Sequence, residues 1–183
     1  MKISIWNGNP DPADALFENN IVQLVDSLQK AGHSINNLVL RGMKINHCIG
    51  CFNCWVKTPG LCVFQDDHKH AIIDMLSCDL LVFASPLLMG FPTSVLKKTL
   101  DRSLPILLPY IDVSSGECRH YHRYEKSPVF GLLYQPESDT DSEDVQICTR
   151  LFSRFARNAR TNLAFVRSTN DQIEEICREV DHI

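Results

Sequence analysis

The chain has 183 residues, 44% of them hydrophobic and 22% charged, a balance that excludes a disordered or fibrous polypeptide and suits one domain with a single large core. Its net charge of −4 excludes broad nucleic-acid or membrane-surface binding, which needs concentrated positive charge, and the short basic stretch from Arg119 to Lys126 does not alter that. No apolar run approaches the ~18–20 residues of a membrane helix, and the opening Met1 to Trp6 lacks the pattern of a secretory signal.

A cytoplasmic location is therefore expected, where thiols stay reduced. In that setting the eight cysteines point to metal, cluster or redox use rather than to disulfides.

The elements alternate along the chain. Lys2 to Trp6 reads as a strand, broken by Asn-Gly-Asn-Pro. Asp11 is a candidate cap and Pro12 a first-turn residue for a helix whose Phe17, Ile21, Leu24, Val25 and Leu28 share a face and which Gly32 stops. Leu38 to Leu40 reads as the second strand. A long irregular segment from Arg41 to Asp66 follows, and Ile72, Met75 and Leu76 mark a short helix. Leu80 to Ala84 is continuously apolar, as a strand buried on both faces must be.

Pro92 is read as the start of the next helix, with Val95, Leu96 and Leu100 on one face. Residues 104 to 126 form a second long irregular segment. Val129 to Leu133 reads as a strand, Val145 to Phe155 as a helix, and Leu163 to Val166 as a strand. The last helix carries Ile173, Ile176, Cys177 and Val180, with Thr169 and Gln172 forming a capping box.

This alternation predicts a doubly wound parallel sheet covered on both faces, in a single domain over residues 1–183. A Cys-rich insertion at about 42–66 and a long loop at about 104–126 interrupt it. Ligands of such sheets bind beyond the carboxyl ends of the strands, at the topological switch point. That places the candidate site at Asn7 to Asp14, Ser85 to Phe91 and Tyr134 to Ser138.

Two segments then carry a resemblance. The run Cys48-Ile-Gly-Cys51-Phe-Asn-Cys54, with Cys62 after seven intervening residues and Asp66-Asp67 behind it, resembles the cysteine segment of the NADPH-dependent FMN reductase and iron–sulfur flavoprotein group. Ser85-Pro86-Leu87-Leu88-Met89-Gly90-Phe91-Pro92, continuing to Asp101-Arg102, is similar to that group's flavin-ring loop and following helix. The likeness runs from residue 1 to about residue 135.

It implies a flavodoxin-like, five-stranded sheet in the order 2-1-3-4-5, FMN at the strand ends, and assembly as homodimers or homotetramers. It also implies an oxidoreductase moving hydride or electrons from NAD(P)H or a ferredoxin donor through FMN, with no catalytic side chain required; an iron–sulfur flavoprotein acting as an electron carrier and a flavodoxin-fold protein that has lost its cofactor stand as alternatives. The residues it assigns to FMN are Asn7, Gly8, Asn9, Pro10 and Asp14 in the first loop, Ser85, Pro86, Leu87, Leu88, Met89, Gly90 and Phe91 in the second, and Tyr134 and Gln135 in the third.

The first loop departs from the family. A phosphate wants free backbone N–H groups at a helix N-terminus. Where the group usually has Gly-Ser-Pro-Arg and then a hydroxyl, this chain has Gly8-Asn9-Pro10-Asp11 and Asp14, with no cation in the loop and two carboxylates. Asp11 is read as a helix cap. In the second loop Leu88 stands where an aromatic is common.

Cys48, Cys51 and Cys54 with the more distant Cys62 have the form of a ferredoxin-type run and are candidate [4Fe–4S] ligands. A four-cysteine zinc site and an empty set of reduced thiols stand as alternatives. Cys78, Cys148 and Cys177 read as small buried hydrophobes and Cys118 as exposed; the pairs His68/His70 and His120/His122 read as surface histidines. Trp55 is either a shield for a cluster or flavin or ordinary loop packing.

Overall fold

In a computed structural model, residues 1–114 and 116–183 are described. Five parallel strands form the sheet: β1 (Lys2–Asn7), β2 (Ser34–Val39), β3 (Leu80–Leu88), β7 (Val129–Gln135) and β8 (Leu163–Ser168), in the order β2-β1-β3-β7-β8. This is the predicted order 2-1-3-4-5, counted over the parallel strands alone. Three further strands lie outside it: β4 (Phe91–Pro92), which pairs antiparallel with the end of β3, and the hairpin of β5 (Leu107–Asp112) with β6 (Arg119–His122).

The pleat sorts side chains between two cores. Ile3 and Ile5 of β1 and Leu80, Val82 and Ala84 of β3 pack against α1 (Ala15–Lys30) and α6 (Ile173–Asp181). Trp6, Leu81 and Phe83 face the other way, toward α3 (His68–Ser77), α4 (Ser94–Asp101) and α5 (Ser142–Asn158). The remaining helix, α2 (Asn53–Val56), is a single turn within the cysteine segment. None of the described helices is long and apolar enough to cross a membrane.

Several boundaries differ from the sequence reading, each for a local reason. Helix α1 starts later than Asp11: its N-cap is Asp14, whose carboxylate accepts from Phe17 N, while Asp11 turns the preceding loop by accepting from Ala13 N. The second strand begins at Ser34, four residues before Leu38. As an edge strand with a half-exposed pattern it needs little apolar signal.

Pro92 ends β4 instead of opening a helix; Thr93 caps α4, its hydroxyl accepting from Leu96 N. The expected capping box at Thr169 and Gln172 is absent, since Gln172 caps α6 without a side-chain hydrogen bond. The capping box lies instead on α5, between Asp141 and Asp144. The segment 104–126 is largely ordered by pairing between β5 and β6.

His68 is not a surface residue. It is buried, and its Nε2–H donates to Thr99 O at 3.1 Å, whereas His70 is exposed. Burial, aided by the Arg102 charge, holds the His68 imidazole down at about 4. The unfolded chain takes up this proton near the ordinary value and the folded chain does not. Stability is therefore full above about pH 6.5 and falls as pH drops toward 4, with a slope approaching ~1.4 kcal/mol per pH unit. Urea unfolding at pH 7.5 and pH 5 should show a loss of about 2 kcal/mol, and His68→Gln should flatten that difference.

Candidate functional site

The first loop leaves the end of β1 beside β3. Gly8 N donates to Ala84 O, and Thr93 Oγ1 donates to Gly8 O at 2.5 Å, so the first and second loops are locked together. A Cβ on Gly8 would stand 2.7 Å from Leu96 Cβ, which is why glycine is needed where the loop crosses α4.

Beyond Gly8 the loop's polar groups are turned inward. Asn7 and Asn9 are buried, and both side-chain amides donate to the Glu18 carboxylate, Asn9 at 2.7 Å. The loop does receive a cation, from outside its own sequence: Arg41, just past β2, pairs with Glu18 at 2.8 Å and reaches Asn9 O. Glu18 and Arg41 were not legible as site residues, because only the β2–β1 pairing brings residue 41 against residue 9.

The second loop prolongs β3 into a tight hairpin. Met89 and Gly90 hold left-handed backbone (φ +53° and +73°), and Leu88, Met89 and Phe91 project into solvent at the end of the central strand. Ser85, Pro86 and Leu87 are buried and act as support: Ser85 Oγ accepts from Thr93 N.

Gly90 N donates to Glu137, Cys148 Sγ donates to Gly90 O, and the Asp144 side chain packs against Gly90 Cα. A Cβ there would lie 2.4 Å from Asp144 Oδ1. Gly90→Ala is expected to cost about 1–3 kcal/mol through both strain and contact, read by thermal unfolding. Asp144→Ala added to it should recover only the contact part. Glu137 falls within the third predicted segment, whereas Asp144, on α5, carried no signal in sequence.

The third segment closes the group. Gln135 Nε2 donates to Asp14 Oδ2 at 3.0 Å, and its Oε1 is buried without a partner; Tyr134 is half-buried beside it on β7. Burial raises the Tyr134 phenol above its ordinary range. The structure thus gathers the three predicted loops at the carboxyl ends of β1, β3 and β7.

The four cysteines form a second centre. Cys48, Cys51, Cys54 and Cys62 line one cavity together with Ile49, Phe52, Val63, Phe64, Leu104 and Pro105. Cys54 is buried and the others reach solvent to varying degrees. Burial pushes the Cys54 thiol up, and Cys62 adds to this. Phe52, which caps α2, holds left-handed backbone at φ +54° and turns the chain between Cys51 and Cys54.

Beneath the thiols lies Arg102, the residue that sequence reasoning passed over. Its side chain is 1% exposed, donates to Asp66 Oδ2 at 2.6 Å and to Asn46 O at 3.1 Å, and lies over the Phe64 ring. Its Nε and Nη2 are buried without a hydrogen-bond partner. The only signal in sequence was a charge set between Leu100 and Leu104 at the end of an apolar helix. Trp55 is packing: its Nε1 donates to Leu107 O at 3.0 Å, and its ring stacks between Phe52 and His120.

Comparison with known proteins agrees with this geometry. No family model matches the chain. An iron–sulfur flavoprotein of Archaeoglobus fulgidus is 29% identical over 103 residues, 56% of this chain and 49% of its own length. The chain spans about half the length of the curated relatives it matches.

RosB with bound 8-demethyl-8-formylriboflavin-5'-phosphate superposes with a TM-score of 0.65 at 16% identity, over 94% of this chain and 67% of that one. An FMN-dependent NADH-azoreductase of Bacillus anthracis in complex with FMN gives 0.62 at 14% identity, over 97% of this chain and 93% of that one. The fold is flavodoxin-like. In sequence the chain is similar to iron–sulfur flavoproteins; in fold it is similar to flavin-dependent reductases.

Proposed function

We propose that this chain is an oxidoreductase of the iron–sulfur flavoprotein kind, in which four cysteines hold an iron–sulfur cluster and the strand-end loops hold a flavin. One observation carries the reading: four thiols share one cavity with a buried arginine that has two nitrogens without a hydrogen-bond partner. A cubane held by four thiolates is an anion whose sulfurs accept hydrogen bonds, and the N–H groups of Arg102 that Asp66 leaves free are donors of the kind that tune such a cluster. Among the described residues no three His, Cys, Asp or Glu side chains are poised around a single ion. A cluster takes each thiolate on a different iron and so does not require the four to converge on one point.

The cluster would supply single-electron steps and the flavin the exchange between one- and two-electron chemistry. The chain's own contribution is position and charge. Leu88, Met89 and Phe91 offer an apolar surface for an isoalloxazine ring. Of FMN, the ring part fits these residues, whereas the phosphate part meets Asp11 and Asp14. A nicotinamide or ferredoxin donor belongs to the same proposal. So does assembly as a homodimer or homotetramer, supported by the exposed Ile49, Val56 and Tyr110.

The test is the iron and acid-labile sulfide content of protein purified without oxygen. About four of each per chain are expected, with broad visible absorption added to any flavin bands. Cys54→Ser should lose most of the iron, and Cys118→Ser none. Absence of both iron and sulfide under reducing conditions would rule out the cluster; stoichiometric zinc would replace it with a structural site.

A further inference from the structure

The site at the strand ends is built from acceptors. Around the first loop most of the backbone donors that a phosphate would need are already taken. Asn9 N donates to Asn7 Oδ1 and Asp11 N to Asn9 Oδ1, while Pro10 and Pro12 have no N–H to offer. Ala13 N and Phe17 N are satisfied by the carboxylates of Asp11 and Asp14. Asp14 N and Ala15 N turn back onto Asp11 O and Ala13 O. Arg41, which reaches Asn9 O, is paired with Glu18. The chain has filled its own anion site with side-chain carboxylates.

The same surroundings favour a ligand that donates hydrogen bonds. Gln135 Oε1 is a buried acceptor without a partner, and its own amide is fixed in place by Asp14. Glu137, bonded to Gly90 N, brings a further carboxylate to the ring loop. A neutral polyol chain carries several O–H donors and no charge, so it matches these acceptors where a phosphate dianion is repelled by them.

We propose that the strand-end site takes an isoalloxazine whose ribityl chain ends in a free hydroxyl, riboflavin, in preference to its 5'-phosphate. The ring would lie against Leu88 and Phe91, and the ribityl hydroxyls would donate to Gln135 and to the carboxylates of the first loop. This rests on the reading of that site as a flavin site.

The experiment is a fluorescence-quenching titration of the purified, flavin-free full chain with riboflavin and, separately, with FMN. Riboflavin is expected to bind at least ~10-fold more tightly, because like charge in the loop penalises only the phosphorylated form. Raising the salt concentration should strengthen FMN binding and leave riboflavin unchanged, since screening relieves repulsion. Asp14→Asn, which keeps a capping oxygen for Phe17 N and removes the charge, should narrow the difference several-fold, by improving FMN binding and weakening that of riboflavin. Circular dichroism of that variant checks that α1 is intact.

FMN binding as tightly as riboflavin, or more tightly, in the native chain would overturn the preference while leaving the flavin reading standing. Quenching of neither would overturn both.

Discussion

Replacing Arg102 with methionine is expected to lower the stability of the protein by about 3–5 kcal/mol, the cost of leaving one partner of a buried ion pair alone. The pair is deeply placed: Asp66 is 8% exposed in its side chain, and Arg102 1%. Asp66 also accepts from the backbone and side-chain amides of Asn46, and Arg102 holds its carboxyl well below the usual carboxylate range. A carboxyl held down in this way stabilises the fold above its ordinary value, and that contribution fades as the pH falls through and below it.

In Arg102→Met the Asp66 charge stays in place without its counter-charge. Removing both charges at once, with Arg102→Met and Asp66→Asn, should cost less than the sum of the two single changes, which a urea-denaturation cycle would measure. The same substitution removes the donors facing the cysteines. Iron content after reconstitution should therefore fall as well, even at a temperature where the variant remains folded.

The second large effect is expected in the core beneath the sheet. Phe83, in the middle of β3, has its ring centroid 5.1 Å from those of both Phe130 and Phe152, and 5.8 Å from those of Trp6 and Phe155. It is fully buried, so Phe83→Ala removes a large apolar side chain and leaves a cavity whose walls are held by two strands and α5. A loss of about 3–5 kcal/mol is expected, while Phe83→Leu, which keeps most of the volume, should cost roughly half or less. Chemical denaturation of both variants checks this. Neither change touches the strand-end loops directly, so flavin binding by the folded fraction should persist.

The sheet was legible because its signal is local and repeated. Leu80 to Ala84 is apolar at every position since both faces of β3 are covered, and Phe17, Ile21, Leu24 and Leu28 mark α1 by period alone. The switch-point rule then located the loops after β1, β3 and β7 without any contact being known. Elements decided by pairing were harder to read. β2 lies at an edge and carries polar residues, the β5–β6 hairpin lies within a segment without a strand pattern, and Pro92 is as compatible with a two-residue strand as with a helix start.

The candidate site divides in the same way. The four cysteines declared themselves by spacing, and the acidic first loop by its departure from a phosphate-binding pattern. That Asp14 rather than Asp11 caps α1 was not legible, because both are competent caps and only the path of the loop chooses between them.

The sequence by itself determined the alternating α/β order, the position of the strand-end loops and the clustering of thiols, because each depends on residues close together in the chain. The tertiary structure decided what those groups face. Arg41 reaches Asn9 across 32 positions, Arg102 reaches Asp66 across 36, and Gln135 reaches Asp14 across 121. Charge pairing and burial act through space, and they turn a cysteine run into a cavity with an arginine beneath it and a phosphate-loop position into a loop of acceptors.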